Sequence, residues 1–427
     1  MKVSENLKSF LSDSSIYTLL NIVNKAIPFL LLPIIVRMLS VDDFGRYSLF
    51  ITVESLLIPI VSLNLHAALS RHYYYDGFNL SEYLSTIIYS ILGISLIFFI
   101  LIFFLPESFI NLLGLSSPYF VQLAVISASI AGLIGMVSNL FRLQRKPWFY
   151  GAFSITQSLF LFLCIFIFCV INPTYSMMVY GRFFYAILFF IVCMFLLKSR
   201  NYLKLTFRKF FFIKALKFSL PTVVYSLSVF VFVSADRFFI KHFLGIKEVG
   251  FYSAIFQLSS IISILGMSIN AAWMPWLFEN LKKKNYQTNV FIVKLSYGLI
   301  FSFLIIGLLS CLIFPFFARI ILPSNFHQYI YISIPIIIGF VFEGIYLIVS
   351  PYLFFAEKTK YNGYIGIIIA CINVMLNIIL VPYCGILGAA IAICCSYILL
   401  AIIFFIFSSK VYPMPWLYFL SKNNLNK

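Results

Sequence analysis

Ionisable side chains embedded in long apolar stretches are the residues of this sequence best able to do chemistry. Lys25, Arg37, Arg182 and Arg237 are basic, while Glu54, Asp236 and Glu343 are acidic. A charge at the centre of a bilayer costs about 2.5–3.5 kcal/mol on insertion scales, so each needs a partner, a wet path or a cargo. Basic groups in an apolar cavity suit an anion, and arginine adds a planar fork that grips phosphate through two hydrogen bonds. A buried carboxylate pairs with a cation or carries a proton, because burial favours its neutral form. Lys25, Arg37, Arg182 and Arg237 are therefore the expected substrate-binding residues. Glu54, Asp236 and Glu343 are the expected ion-coupling or gating residues, with Glu54 the expected partner of Lys25. Asp236 and Arg237 are sequence neighbours, which on a helix point about 100° apart, so they need not pair.

The elements that position these residues are membrane spans. Of 427 residues, 63% are hydrophobic, 19% aromatic and only 10% charged. A soluble domain carries about 25% charged residues, so a water-soluble globule is excluded, and so are disordered and collagen-like chains. A helix crosses the hydrocarbon core in about 20 residues. Long charge-free runs divide at Asn172-Pro173, at Pro382–Gly385 and at Ser116-Ser117-Pro118, where proline disfavours helix continuation before it. The reading gives an all-α integral membrane protein of twelve transmembrane helices. They cover 15–39, 44–68, 83–105, 118–141, 150–171, 174–197, 218–241, 249–276, 292–317, 330–355, 362–381 and 386–407. Pro28 and Pro33 follow Lys25 and bend the first span.

The balance of charge is 30 Lys+Arg against 13 Asp+Glu, formally +17. With both termini inside, 21 of the 30 basic residues fall in cytoplasmic loops and tails, four in outer loops and five within spans. That asymmetry follows the positive-inside rule, so most of the excess sets orientation and does not point to nucleic acid. The longest connection, 198–217, is basic and aromatic and reads as an amphipathic segment on the cytoplasmic leaflet. It separates an N-terminal six-helix lobe (1–197) from a C-terminal six-helix lobe (218–409), with a cytoplasmic tail at 410–427.

The halves repeat one another. Leu39-Ser-Val-Asp-Asp-Phe-Gly-Arg-Tyr-Ser48 matches Leu244-Gly-Ile-Lys-Glu-Val-Gly-Phe-Tyr-Ser253 at an offset of 205 residues. A weaker match joins Leu140-Phe141 and Gln144-Arg145 to Leu353-Phe354 and Glu357-Lys358. Both members of each pair fall on the same expected side, so the internal repeat is parallel. Two such lobes flanking a central site suit alternating access. Catalytic and metal signatures are missing: there is no P-loop, and the four histidines lack ligand spacing. The eight cysteines lie mostly within apolar runs, where packing is the expected role. No cofactor is expected.

Phe29-Leu-Leu-Leu-Pro33, Arg37 and Asp43-Phe-Gly-Arg-Tyr-Ser48 resemble the start of O-antigen flippases of the polysaccharide-transporter family. Phe218-Ser-Leu-Pro221, Asp236-Arg237 and Val249-Gly-Phe-Tyr-Ser253 carry the resemblance into the second half. The resemblance implies a V-shaped member of the multidrug/oligosaccharidyl-lipid/polysaccharide exporter superfamily. It implies movement of an undecaprenyl-pyrophosphate-linked oligosaccharide from the inner to the outer leaflet of a bacterial inner membrane. Lys25, Arg37 and Arg237 match the basic cavity residues of related flippases, whereas Glu54 and Glu343 depart from a purely cationic cavity. The partners implied are the lipid-linked oligosaccharide, membrane lipids and other polysaccharide-assembly membrane proteins. Two further readings stay open: a cation-coupled multidrug exporter, and a membrane glycosyltransferase or polymerase using the acidic loop Asp42-Asp43.

Overall fold

The computed structural model describes residues 24, 27, 29, 31–73, 79–144, 146–358 and 360–416, and Lys25 lies outside them. Among the described residues every regular element is helical. Hydrocarbon offers backbone groups no hydrogen bonds, and a helix satisfies its own. Helix α1 is described continuously over 31–38. Then come α2 (Val41–Ser62), α3 (Leu65–His72), α4 (Leu80–Leu101), α5 (Glu107–Leu113), α6 (Pro118–Leu143), α7 (Pro147–Ile171) and α8 (Tyr175–Ser199). The rest are α9 (Lys209–Ser234), α10 (Asp236–Phe243), α11 (Ile246–Ser259), α12 (Ile261–Leu281), α13 (Tyr286–Ile321), α14 (Ser333–Phe355), α15 (Lys360–Cys384) and α16 (Ile386–Val411).

Eleven helical stretches among the described residues are long and apolar enough to cross a membrane. They coincide with eleven of the twelve expected spans, and the remaining one, 15–39, lies mostly outside the described residues. Expected spans 44–68 and 218–241 are each broken in two. The basic segment 209–217 forms the first turns of α9 and runs straight on into the span.

The chain forms two compact units, Met1–Ala254 and Ile255–Lys427. In the first, α6 is the central helix, packed by α2, α3, α4, α7 and α8. In the second, α14 lies against α12, α13 and α16, and α15 packs on α16. Helix α13 turns a stripe outward: Leu308, Leu312 and Phe316, spaced four apart, are 65–71% exposed. A stripe so apolar and bare needs lipid as its solvent.

Local sequence explains how the helices start and break. Ser40 caps α2 by accepting from the Asp43 amide (3.1 Å). Asp43 in turn accepts from the Tyr175 amide (3.1 Å), so one carboxylate serves the starts of both α2 and α8. Between α2 and α3, Leu63 and Asn64 both adopt the left-handed conformation (φ 46° and 48°). That conformation costs roughly 1–2 kcal/mol per non-glycine residue. The freed Asn64 amide donates to Ser62 Oγ (3.2 Å), and the Asn64 side chain donates to the Thr222 carbonyl (3.1 Å) and to Ser226 Oγ (2.8 Å) on α9.

The sequence repeat meets itself within the first unit. A methyl on Gly45 of α2 would stand 2.2 Å from the Ile246 carbonyl oxygen, and one on Gly250 of α11 would stand 2.3 Å from that of Val41. Three residues further on, Ser48 Oγ donates to its repeat-mate Ser253 Oγ (2.6 Å). Small residues let the two helices touch backbone to backbone. We expect Gly45→Ala or Gly250→Ala to destabilise the protein by about 1–3 kcal/mol, because the obstacle is backbone and cannot step aside. Ser48→Ala should cost only about 0.6 kcal/mol. Thermal unfolding in detergent ranks them, and the idea fails if the serine variant is the more damaging.

Candidate functional site

A polar cavity of about 290 Å³ lies inside the first unit among α2, α6, α7 and α8. Helix α6 makes room for it. Ser127, Ala131, Gly135 and Ser138 recur at helical spacing and line it with small side chains. A methyl added to Gly135 would meet nothing within 4 Å. The facing stripe on α7 is polar and larger: Tyr150, Ser154 and Gln157. Glu54 projects from α2, while Arg182 and Tyr185 project from α8.

Glu54 and Arg182 form a salt bridge through Arg182 Nε and Glu54 Oε2, with side-chain exposures of 5% and 21%. Tyr47 also hydrogen-bonds the guanidinium, and Tyr185 shares a hydrogen bond with Gln157. Ser127 Oγ, on a residue only 2% exposed, has no hydrogen-bond partner among the described residues. The site thus combines a neutralised charge pair, several hydroxyls and amides, and one spare hydroxyl. Its described lining offers hydrogen-bond donors and acceptors to polar groups.

Of the other expected site residues that the structure describes, none is among those lining this cavity. Lys25 falls outside the described residues, and the described partner of Glu54 is Arg182. Arg37 is exposed near the end of α1. Asp236 and Arg237 do pair with each other (2.9 Å). The helix breaks at Ala235, so Asp236 opens α10 and accepts from the Arg237 amide (2.8 Å) as well as its guanidinium. The Tyr252 hydroxyl donates to the other oxygen of Asp236, and Arg237 lies over the Tyr252 ring. In the second unit, buried Glu343 on α14 accepts from the Tyr397 hydroxyl of α16 (3.3 Å).

Sequence reasoning found Glu54 and Arg182 but missed the stripes that surround them. Their spacing on α6 and α7 is readable, but small residues on a membrane helix also serve plain packing. It also missed a buried amide cluster in the second unit. There Asn373 donates to Ser396 Oγ (3.1 Å), and Asn377 donates to the Asn373 carbonyl (2.9 Å). Among the described residues no three His, Cys, Asp or Glu side chains converge as a metal site would require.

This architecture is that of a multi-span helical membrane protein. The structure resembles the lipid II flippase MurJ in an inward closed conformation, with a TM-score of 0.69 and 20% identity over 90% of this chain and 87% of that one. It also resembles an outward-facing MATE-family multidrug resistance transporter of the MOP superfamily (TM-score 0.62, 14% identity, 94% and 95% covered). At such identities the likeness concerns the fold. The chain belongs to the polysaccharide biosynthesis protein family, whose model matches residues 10–281. A protein of the Lsg locus of Haemophilus influenzae is 28% identical over 408 residues, 88% of this chain and 94% of the relative. A second membrane protein of that organism is 24% identical over 410 residues, covering 89% of this chain and 94% of the relative.

Removing one partner of a buried pair leaves the other uncompensated, at a cost of about 3–5 kcal/mol. Arg182→Met should therefore lower the yield of monodisperse protein and its melting temperature. The double variant Glu54→Met/Arg182→Met should recover most of the loss, because it leaves no lone charge. Fluorescence-detected size-exclusion melting curves test this. A double variant no better than Arg182→Met would mean that the pair is not what holds α2 to α8.

Proposed function

We propose that this protein is a flippase for undecaprenyl-pyrophosphate-linked O-antigen or similar oligosaccharide repeat units. It carries them from the cytoplasmic to the periplasmic leaflet of a bacterial inner membrane by alternating access. The observation that carries this reading is a polar, charge-paired cavity inside a lipid-facing helical bundle of the polysaccharide biosynthesis family. A hydrophilic headgroup needs such a surface to cross hydrocarbon, while the lipid tail stays in the bilayer. Residues 1–197 and 218–409 act as the two repeat-related halves, joined by 198–217, with both termini and the 410–427 tail in the cytoplasm.

In this proposal Lys25, Arg37 and Arg237 contact the pyrophosphate or acidic sugars, and Arg182, held by Glu54, contacts the sugar part of the cargo. Arg237 does so by exchanging its carboxylate partner for the cargo. Glu54, Asp236 and Glu343 take up a coupling ion or gate the path. Membrane lipids and other polysaccharide-assembly proteins are the remaining partners. The protein performs no bond chemistry in this scheme.

Deletion of the gene, combined with leaflet-specific detection of lipid-linked repeat units, tests the reading. Units should accumulate in the inner leaflet, and surface polysaccharide should be lost. Units reaching the outer leaflet at the normal rate, with no second flippase present, would overturn it. Drug export on the same fold would instead alter the accumulation of amphipathic cations and leave surface polysaccharide intact.

A further inference from the structure

We infer that the cavity among α2, α6, α7 and α8 binds one uncharged sugar ring of the cargo, read by hydroxyls and amides and not by charge. This rests on the flippase reading and adds to it the part of the headgroup that this cavity holds. Among the described residues only two charged side chains line the cavity, Glu54 and Arg182, and they neutralise each other. While that pair is closed, an anion could reach the guanidinium only by stripping it from Glu54. That would leave a carboxylate alone in the bundle, at a cost of about 3–5 kcal/mol. A polyol avoids this cost, because its hydroxyls donate to the free lone pairs of the carboxylate and accept from the remaining guanidinium N–H groups.

The rest of the lining has the same chemistry. Ser154, Gln157 and Tyr185 offer both donors and acceptors at neutral charge. Ser127 supplies a buried hydroxyl with no partner among the described residues, on a residue that lines the cavity. A buried polar group in that condition needs water or a ligand. A volume of 290 Å³ equals the share of about ten waters in the liquid, enough for one six-membered ring with its substituents. The space exists because Gly135 has no side chain: a Cβ there would point into emptiness.

The test uses the full chain in lipid nanodiscs and saturation-transfer NMR, with N-acetylglucosamine and galactose as neutral probes and sodium pyrophosphate as competitor. Empty nanodiscs give the background. We expect saturation transfer to at least one sugar, undiminished by pyrophosphate. Gly135→Leu, whose side chain grows into free space, should raise the apparent Kd at least about tenfold, the factor that 1.4 kcal/mol gives. Gln157→Leu should do the same by removing an amide, and size-exclusion profiles check that both variants fold. Displacement of the sugar by pyrophosphate, equal signals in wild type and both variants, or no signal above background would each overturn the inference. The gene-deletion experiment is independent of these results. Loss of export without sugar binding removes this site alone, and sugar binding with normal export removes the flippase reading alone.

Discussion

Hydrocarbon solvates neither charge nor backbone, and the first unit is organised around that constraint. Glu54 and Arg182 come from spans 128 residues apart in sequence, and neither is tolerable there alone. Their pairing ties α8 to α2, and the charges that the described lining brings to the space beside α6 neutralise each other. The same demand recurs wherever the backbone departs from a helix. At the break after α2 the Ser62 hydroxyl oxygen accepts from the Asn64 amide, and Asp236 accepts from the Arg237 amide in the first turn of α10. At these two breaks a polar side chain at the spot takes up a backbone amide, so the helix bends there without leaving that group bare.

The contact between repeats follows a different physical logic. Gly45 with Gly250 and Ser48 with Ser253 are equivalent positions of one motif, and they meet each other across a pseudo-symmetric crossing. A self-facing contact allows nothing large at its centre, since any side chain would meet its own counterpart. The serines suit it because each hydroxyl can be donor to the other, so the same residue type serves both sides.

Much of the fold was legible in composition alone, because the bilayer restricts a chain to helices of a known length. The turn at Asn172-Pro173 and the one before Pro118 coincide with the observed helix ends. The break at Leu63–Asn64 was not legible. No proline or glycine marks it, and it depends on Thr222 and Ser226, which are distant in sequence. The site was legible one residue at a time. Glu54 and Arg182 each stood out as a charge in an apolar run, yet which charges pair is a tertiary fact. Helical neighbours such as Asp236 and Arg237 need not pair; here they do, beside a one-residue interruption of the helix at Ala235 that propensity does not reveal.

The length of α13 has a geometric consequence for the membrane surface. Its 36 residues span about 54 Å, whereas the bilayer is only about 40–45 Å thick even with its headgroups. Tilt alone would have to exceed 50° to hide it in the core, beyond the roughly 0–40° that spans adopt. Its first turns hold Gln287, Asn289 and Lys294 and follow the triplet Lys282-Lys283-Lys284, so that end is the one able to leave the lipid. The helix therefore extends its first turns beyond the lipid on the side of the Lys282-Lys283-Lys284 triplet, as a polar helical surface beside a cluster of positive charge.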